Sequence, residues 1–209
     1  MLQSENNKIT LCGTVLGEPK FNHEVFGEKF YSFTLCVKRL SGQVDELPIM
    51  LSERLMYDID ICDGKRLKIE GQLRSYNIMV ENKSRLQIET FAREIFEYEG
   101  EDVNSIYIEG FICKTPVYRV TPFSREIADL LVAVNRAYGK SDYIPAICWG
   151  RNARYCQKIT VGEPITIEGR LQSREYQKRI DEETVITRVA YEVSVSKFAV
   201  KTQQEDKAE

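Results

Sequence analysis

Six cysteines and one histidine carry most of the ligating and nucleophilic potential of this 209-residue chain. The cysteines are Cys12, Cys36, Cys62, Cys113, Cys148 and Cys156, and none forms a C-x-x-C pair. Even the closest two, Cys148 and Cys156, are eight positions apart, a spacing that fits neither a zinc ribbon nor a dithiol redox motif. His23 is the only histidine, so a multi-histidine metal site is impossible within one chain. It stands among Asn22, Glu24 and Gly27 in an expected turn and reads as a surface residue. Cys12, Cys36, Cys113 and Cys148 lie in or beside apolar strand-like runs and read as small core hydrophobes. An even cysteine count behind an N-terminus without a secretory pattern points to free thiols in a reducing compartment. No Ser/His/Asp set, phosphate-cradling glycine loop or paired-acid motif stands out, and Glu182-Glu183 and Asp58/Asp60/Asp63 read as solvated runs. The chemistry of the chain is therefore expected to be binding without catalysis, with no metal and no cofactor.

Composition narrows the class further. The chain is 43% hydrophobic and 29% charged, which is ordinary for a globular protein. No apolar run approaches the ~18–20 residues that span a bilayer, so no membrane association is expected. The formal net charge of −3, taken alone, argues against a nucleic-acid partner.

The elements that must position any binding residues come from an internal repeat. Lys8-Ile9-Thr10-Leu11-Cys12-Gly13 aligns with Ser105-Ile106-Tyr107-Ile108-Glu109-Gly110 at an offset of 97. The same offset pairs Pro19 with Pro116, Phe26 with Phe123, Arg39 with Arg136, Gly42 with Gly139, Asp45 with Asp142 and Pro48 with Pro145. At an offset of 98, Ile69-Glu70-Gly71-Gln72-Leu73-Arg74-Ser75 matches Ile167-Glu168-Gly169-Arg170-Leu171-Gln172-Ser173. A period this long is too large for a solenoid unit, so each copy should be a complete domain. The expected division is a first domain over 1–98, a linker over 99–104, a second domain over 105–199 and a disordered tail over 200–209.

Within each copy the pattern is β. The second copy shows strand-like runs at 106–112, 128–134, 143–149, 165–171 and 189–196, with a short helix over 152–159. Gly169 in mid-strand suggests a bulge or tight bend. Five strands with one helix after the third form the pattern of a Greek-key OB barrel. The fold class is accordingly all-β: two tandem five-stranded Greek-key OB-fold barrels, with one short helix per domain.

At this point the motifs resemble a family. Ile-Glu-Gly-(Gln/Arg)-Leu-(Arg/Gln)-Ser, found in both copies, is similar to the fourth-strand motif of bacterial single-stranded DNA-binding proteins. Leu130-Leu131-Val132-Ala133-Val134-Asn135-Arg136 and Asp142-Tyr143-Ile144-Pro145-Ala146-Ile147-Cys148-Trp149-Gly150-Arg151 resemble that family as well. The resemblance covers about 105–198 well and 8–96 less well, the repeat supporting the weaker half.

The resemblance implies binding of single-stranded DNA largely without sequence preference, in replication, recombination or repair, by stacking bases on aromatic side chains beside basic residues. The family's stacking positions fall here on Tyr138, Tyr143, Trp149 and Tyr176. Arg136, Arg151, Arg154, Arg170, Arg174, Lys178 and Arg179 interleave with them as phosphate-contacting candidates. In the first copy the same positions are Ser41, Glu46, Ser52 and Ile78, with Phe30 and Tyr76 nearby but out of register. That domain is expected to have lost the stacking set and to be mainly structural.

The charge agrees with this division. Residues 1–100 have a net charge of −3, residues 101–198 a net of +1 and the last eleven a net of −1. Nine arginines fall in the second domain against six in the first, and arginine suits phosphate and stacking better than lysine. The family usually works with four OB domains, so two per chain implies a homodimer in the cytoplasm, associated with the nucleoid. Replication or repair proteins are further partners the family implies. The short tail, without an apolar tip, argues against recruiting them by the family's usual route. The alternative is a primosome-type OB module that binds proteins and has weak or no affinity for DNA.

Overall fold

The computed structural model describes residues 6–80, 83–179 and 185–201. The first barrel contains β1 (Asn7–Val25), β2 (Glu28–Lys38), β3 (Val44–Ser52), β4 (Arg66–Val80) and β5 (Lys83–Glu97). The second contains β6 (Val103–Ile112), β7 (Val117–Val120), β8 (Glu126–Asn135), β9 (Ser141–Trp149), helix α1 (Gly150–Cys156), β10 (Pro164–Arg179) and β11 (Val185–Val200). Among the described residues no helix is long and apolar enough to cross a membrane.

Each copy closes on itself. In the first, β1 pairs antiparallel with β2 and β4, β2 with β3, and β4 with β5, and a parallel contact of β3 with β5 completes the ring. In the second, β6 and β7 together do what β1 does alone, and the parallel contact joins β9 to β11. The break between β6 and β7 falls at Pro116, whose missing N–H cannot enter the ladder. The matched Pro19 lies inside β1 beside a register shift between Leu16 and Lys20, which absorbs it. These are tandem OB folds.

The alternation of each strand sends Leu35, Leu47, Ile49, Ile69 and Leu73 into one barrel and Val132, Ile144, Ile167, Leu171 and Val193 into the other. Gly71 and Gly169 each sit at a register shift where two strands cross closely. A Cβ at Gly71 would run into the Phe91 carbonyl, and one at Gly169 into the Ser194 carbonyl, so only glycine permits the crossing. The cysteines are free thiols, and Cys12, Cys148 and Cys156 are buried. Cys148 and Cys156 share a thiol hydrogen bond, which together with burial pushes Cys148 up.

Three local expectations differ from the structure. The helix expected in the first domain is a single 3₁₀ turn, Glu53–Met56. Asp58 and Asp60, both poor helix formers, follow it at once. In the second domain the helix begins two residues early, at Gly150, and ends at Cys156. His23 belongs to β1, and the turn begins beyond Val25, where Phe26 and Gly27 both adopt positive φ.

The two barrels form one sheet. β1 pairs antiparallel with β6 from Asn7↔Ile108 to Cys12↔Val103. Residues 99–102 connect them, and the connection is anchored on the first barrel. Arg66 bonds the Asp102 carboxylate and the Gly100 carbonyl, both at 2.7 Å, and Asp102 accepts the Lys38 N–H at 2.6 Å. The matched residues of the repeat then meet across a pseudo-twofold. Asp45, on β3, is fully buried, binds Arg39 at 2.5 and 2.6 Å and accepts the Ser173 N–H of the second barrel at 2.8 Å. Asp142, on β9, is equally buried, binds Arg74 at 3.0 Å and accepts the Ser75 N–H of the first barrel at 2.8 Å.

Candidate nucleic-acid interface

With Leu171 and Val193 turned into the core, the strand period sends the alternate residues of β10, β11 and β9 outward. Arg170, Gln172, Arg174 and Tyr176 therefore share one face of β10, beside Ser194 on β11 and Trp149 on β9. Trp149 is 39% exposed, and its indole N–H donates to Ser194 Oγ at 3.3 Å, which orients the ring on the sheet.

A groove of about 690 Å³ runs along this face. Trp149, Arg170 and Arg174 line it from the second barrel, and Arg39, Gln43 and Val44 from the first. Arg170 donates to Gln172 Oε1 at 3.1 Å, while its Nε is buried and unpaired. Burial, with Arg39 alongside, lowers the pKa of its guanidinium. The buried Nε is closed to a ligand, but Arg170 as a whole is only partly buried and brings a cation to the groove, where charge favours an anion. Arg174 lies 5.9 Å from the centre of the Tyr176 ring and 3.3 Å from Glu192, itself bonded by Gln172 at 2.9 Å. Cation, ring and acid hold one another in place, leaving the Tyr176 ring partly exposed.

The other candidates sit elsewhere. Tyr143 lies six residues before Trp149 on β9, about 20 Å away along the strand. Its N–H donates to Ser75 Oγ of the first barrel at 2.8 Å, and its ring is 45% exposed. Tyr138 occupies the loop before β9, fully solvent-exposed, with φ 61° and ψ 31°. A bulky residue held in the left-handed region, with its ring in water, contributes nothing to packing. Arg136 approaches the buried Asp142 at 3.3 Å and so braces the barrel interface. Arg154, on α1, pairs with Glu126 at 3.1 Å, and Arg151 at the start of that helix is exposed. The side chains of Lys178 and Arg179 lie outside the described residues.

The eleven candidates thus divide. Trp149, Arg170, Arg174 and Tyr176 share a face, whereas Tyr138, Tyr143 and Arg136 stand at the far end of β9 against the first barrel. Sequence reasoning missed Arg39 as a groove residue. The repeat, which matches it to Arg136, was the signal that could have found it, because a residue matched across two copies can serve the contact between them.

Comparison with known proteins finds similarity in the second barrel. Residues 103–200 match the model of the Single-strand binding protein family. Single-stranded DNA-binding protein 1 of Staphylococcus aureus is 29% identical over 94 residues, covering 42% of this chain and 56% of that protein. Single-stranded DNA-binding protein A of Bacillus subtilis is 28% identical over 97 residues, covering 43% of this chain and 56% of that protein. The match therefore spans a little over half the length of these relatives. The crystal structure of the wild-type single-stranded DNA binding protein from Thermus aquaticus superposes over 97% of this chain and 96% of that one, with a TM-score of 0.75 and 20% identity. At that identity the superposition supports the tandem fold, while the second barrel is what matches the single-strand binding protein family model, over 103–200.

Proposed function

We propose that this protein binds single-stranded DNA largely without sequence preference, through the groove beside Trp149. The observation that carries the reading is the pairing of an exposed, oriented indole with the partly buried cation of Arg170 in one groove. Bases stack on Trp149 and Tyr176, and phosphates meet Arg170 and Arg39. Such stacking tolerates any sequence because every base has a π-face. Single strands exposed in replication, recombination or repair are the substrate class, and the cytoplasm is where the protein meets them.

Trp149 is the only tryptophan, so its fluorescence reports this groove alone. Titration with oligo-dT is expected to quench it strongly, duplex of the same length far less, and added salt to weaken the effect. A signal that stays flat under excess single strand would overturn the reading in favour of a protein-binding OB module. We further propose a homodimer, which would assemble four barrels. Light scattering coupled to size exclusion should give twice the chain mass of 24.2 kDa.

A further inference from the structure

On the second barrel, Trp149 at the end of β9 faces Ser194 on β11. The matched positions of the first barrel are Ser52 at the end of β3 and Phe91 on β5. The parallel pairings Met50↔Phe91 and Ile147↔Ser194 put Phe91 and Ser194 at the same strand crossing. The aromatic and the serine have therefore changed places across one inter-strand gap. The first barrel lost its ring at the position where the motif looks for one and carries a ring on the neighbouring strand.

Phe91 is the centre of a cluster. Its ring lies 6.0 Å from Phe30, on which His23 stacks at 4.9 Å. The guanidinium groups of Arg93 and Arg74 lie 5.1 and 6.0 Å from the Phe91 centroid. Both donate to Gln72 Oε1, Arg74 at 2.7 Å and Arg93 at 3.4 Å, so one neutral acceptor holds two cations over one ring. Among the described residues Arg93 has no carboxylate partner. Arg74 also binds Asp142, the residue preceding Tyr143, and Tyr143 itself rests on Ser75, next to Arg74. Of the nearby acids, Glu28 is taken up by Arg54 and the Ser52 hydroxyl. Glu89, on the same face of β5, is largely buried and bonded to Tyr76.

We propose that Phe91, with Phe30 and the guanidinium groups of Arg74 and Arg93, is a second stacking platform for single-stranded DNA, extended by Tyr143 from the second barrel. It lies on the face related to the Trp149 groove by the pseudo-twofold, with Tyr143 standing where Glu46 stands in the first groove. Partly buried rings with an uncompensated cation beside them suit a base and its phosphate better than they suit an apolar partner. A strand longer than one barrel can cover would use both platforms. The inference rests on the single-strand reading above.

The test compares the full chain with its Phe91→Ala, Phe91→Trp, Arg93→Gln and Trp149→Ala variants. Labelled oligo-dT of about 10 nucleotides, within the reach of one OB barrel, is set against oligo-dT of about 35. Phe91→Ala and Arg93→Gln are expected to weaken binding of the long strand roughly tenfold, while quenching of Trp149 by the short strand is unchanged. Phe91→Trp should bind as the parent does, and in a Trp149→Phe background its own fluorescence should be quenched by the long strand. Arg93 is exposed, so its variant keeps the fold if Phe91→Ala does not. Parent-like binding of the long strand by both Phe91→Ala and Arg93→Gln, with loss only in Trp149→Ala, overturns the second platform and leaves the first intact. No binding of any strand by the parent overturns both.

Discussion

Trp149 and Ser52 occupy matched ends of matched strands, and they separate binding chemistry from barrel chemistry. Trp149→Ala is expected to lose roughly 1–3 kcal/mol of single-strand affinity, the usual range for one stacked base, whereas Ser52→Ala should bind as the parent does. Fluorescence anisotropy with a labelled short strand measures both. Glu89 gives a second prediction at this scale. Burial raises its carboxyl from 4.5 to about 7, opposed only by the Tyr76 hydroxyl bond. The folded state therefore holds this proton more tightly than the unfolded chain. Its contribution to stability is fully present below about pH 4.5 and is lost as pH rises through about 7. Urea midpoints should fall across that window in the parent, and the fall should be smaller in Glu89→Gln. The matched Glu192 is instead bonded by Arg174 and Gln172.

At the scale of elements, β10 couples the core to the site. Its alternation buries Ile165, Ile167 and Leu171 while aiming Arg170, Arg174 and Tyr176 outward, and it runs unbroken past Gly169 because the register shift there places the extra residue, Ser196, on β11. Gly169→Ala pushes a Cβ into the carbonyl of Ser194, the residue whose hydroxyl orients Trp149. The expected result is a loss of about 1–3 kcal/mol in chemical denaturation together with a shifted Trp149 emission maximum. Strand period and mid-strand glycine were readable from the sequence: β6, β8, β9, β10 and β11 each contain the strand-like run expected there, with β10 and β11 extending well beyond theirs. The helices were less readable. Seven residues at Gly150–Cys156 and one 3₁₀ turn at Glu53–Met56 are too short for a helical period to register, so tertiary packing decides them.

For the whole molecule, the β1–β6 pairing makes two barrels one sheet with a shared boundary. Unfolding followed by Trp149 fluorescence, which reports the second barrel, should coincide with unfolding followed by far-UV circular dichroism, which reports both. Two separated transitions would show that the boundary does not couple them. Asp45→Asn removes the charge that holds Arg39 and faces Ser173, and should cost about 3 kcal/mol, because a half-buried guanidinium is left without its partner.

Certain properties of this protein were determined by the sequence itself. The offset of 97 to 98 residues dictated two copies, and the period-2 runs with glycine at matched places dictated β-barrels. Both signals are local or self-referential, so a single chain displays them. The whole-chain charge of −3 concealed the difference between the copies, and dividing it at the repeat exposed that difference. The grouping of the aromatics belonged to tertiary structure. Tyr143 and Trp149 share one strand yet stand at separate places, because the pseudo-twofold lays one end of β9 against Ser75 and leaves the other in the groove beside Arg39. Phe91 has no aromatic match in the second copy to single it out; the parallel pairing of β3 with β5 brings it to the matched crossing with two arginines beside it. Contacts between distant strands leave no trace in local spacing, and the packing of Phe91 against Phe30 and Arg74 consists of such contacts.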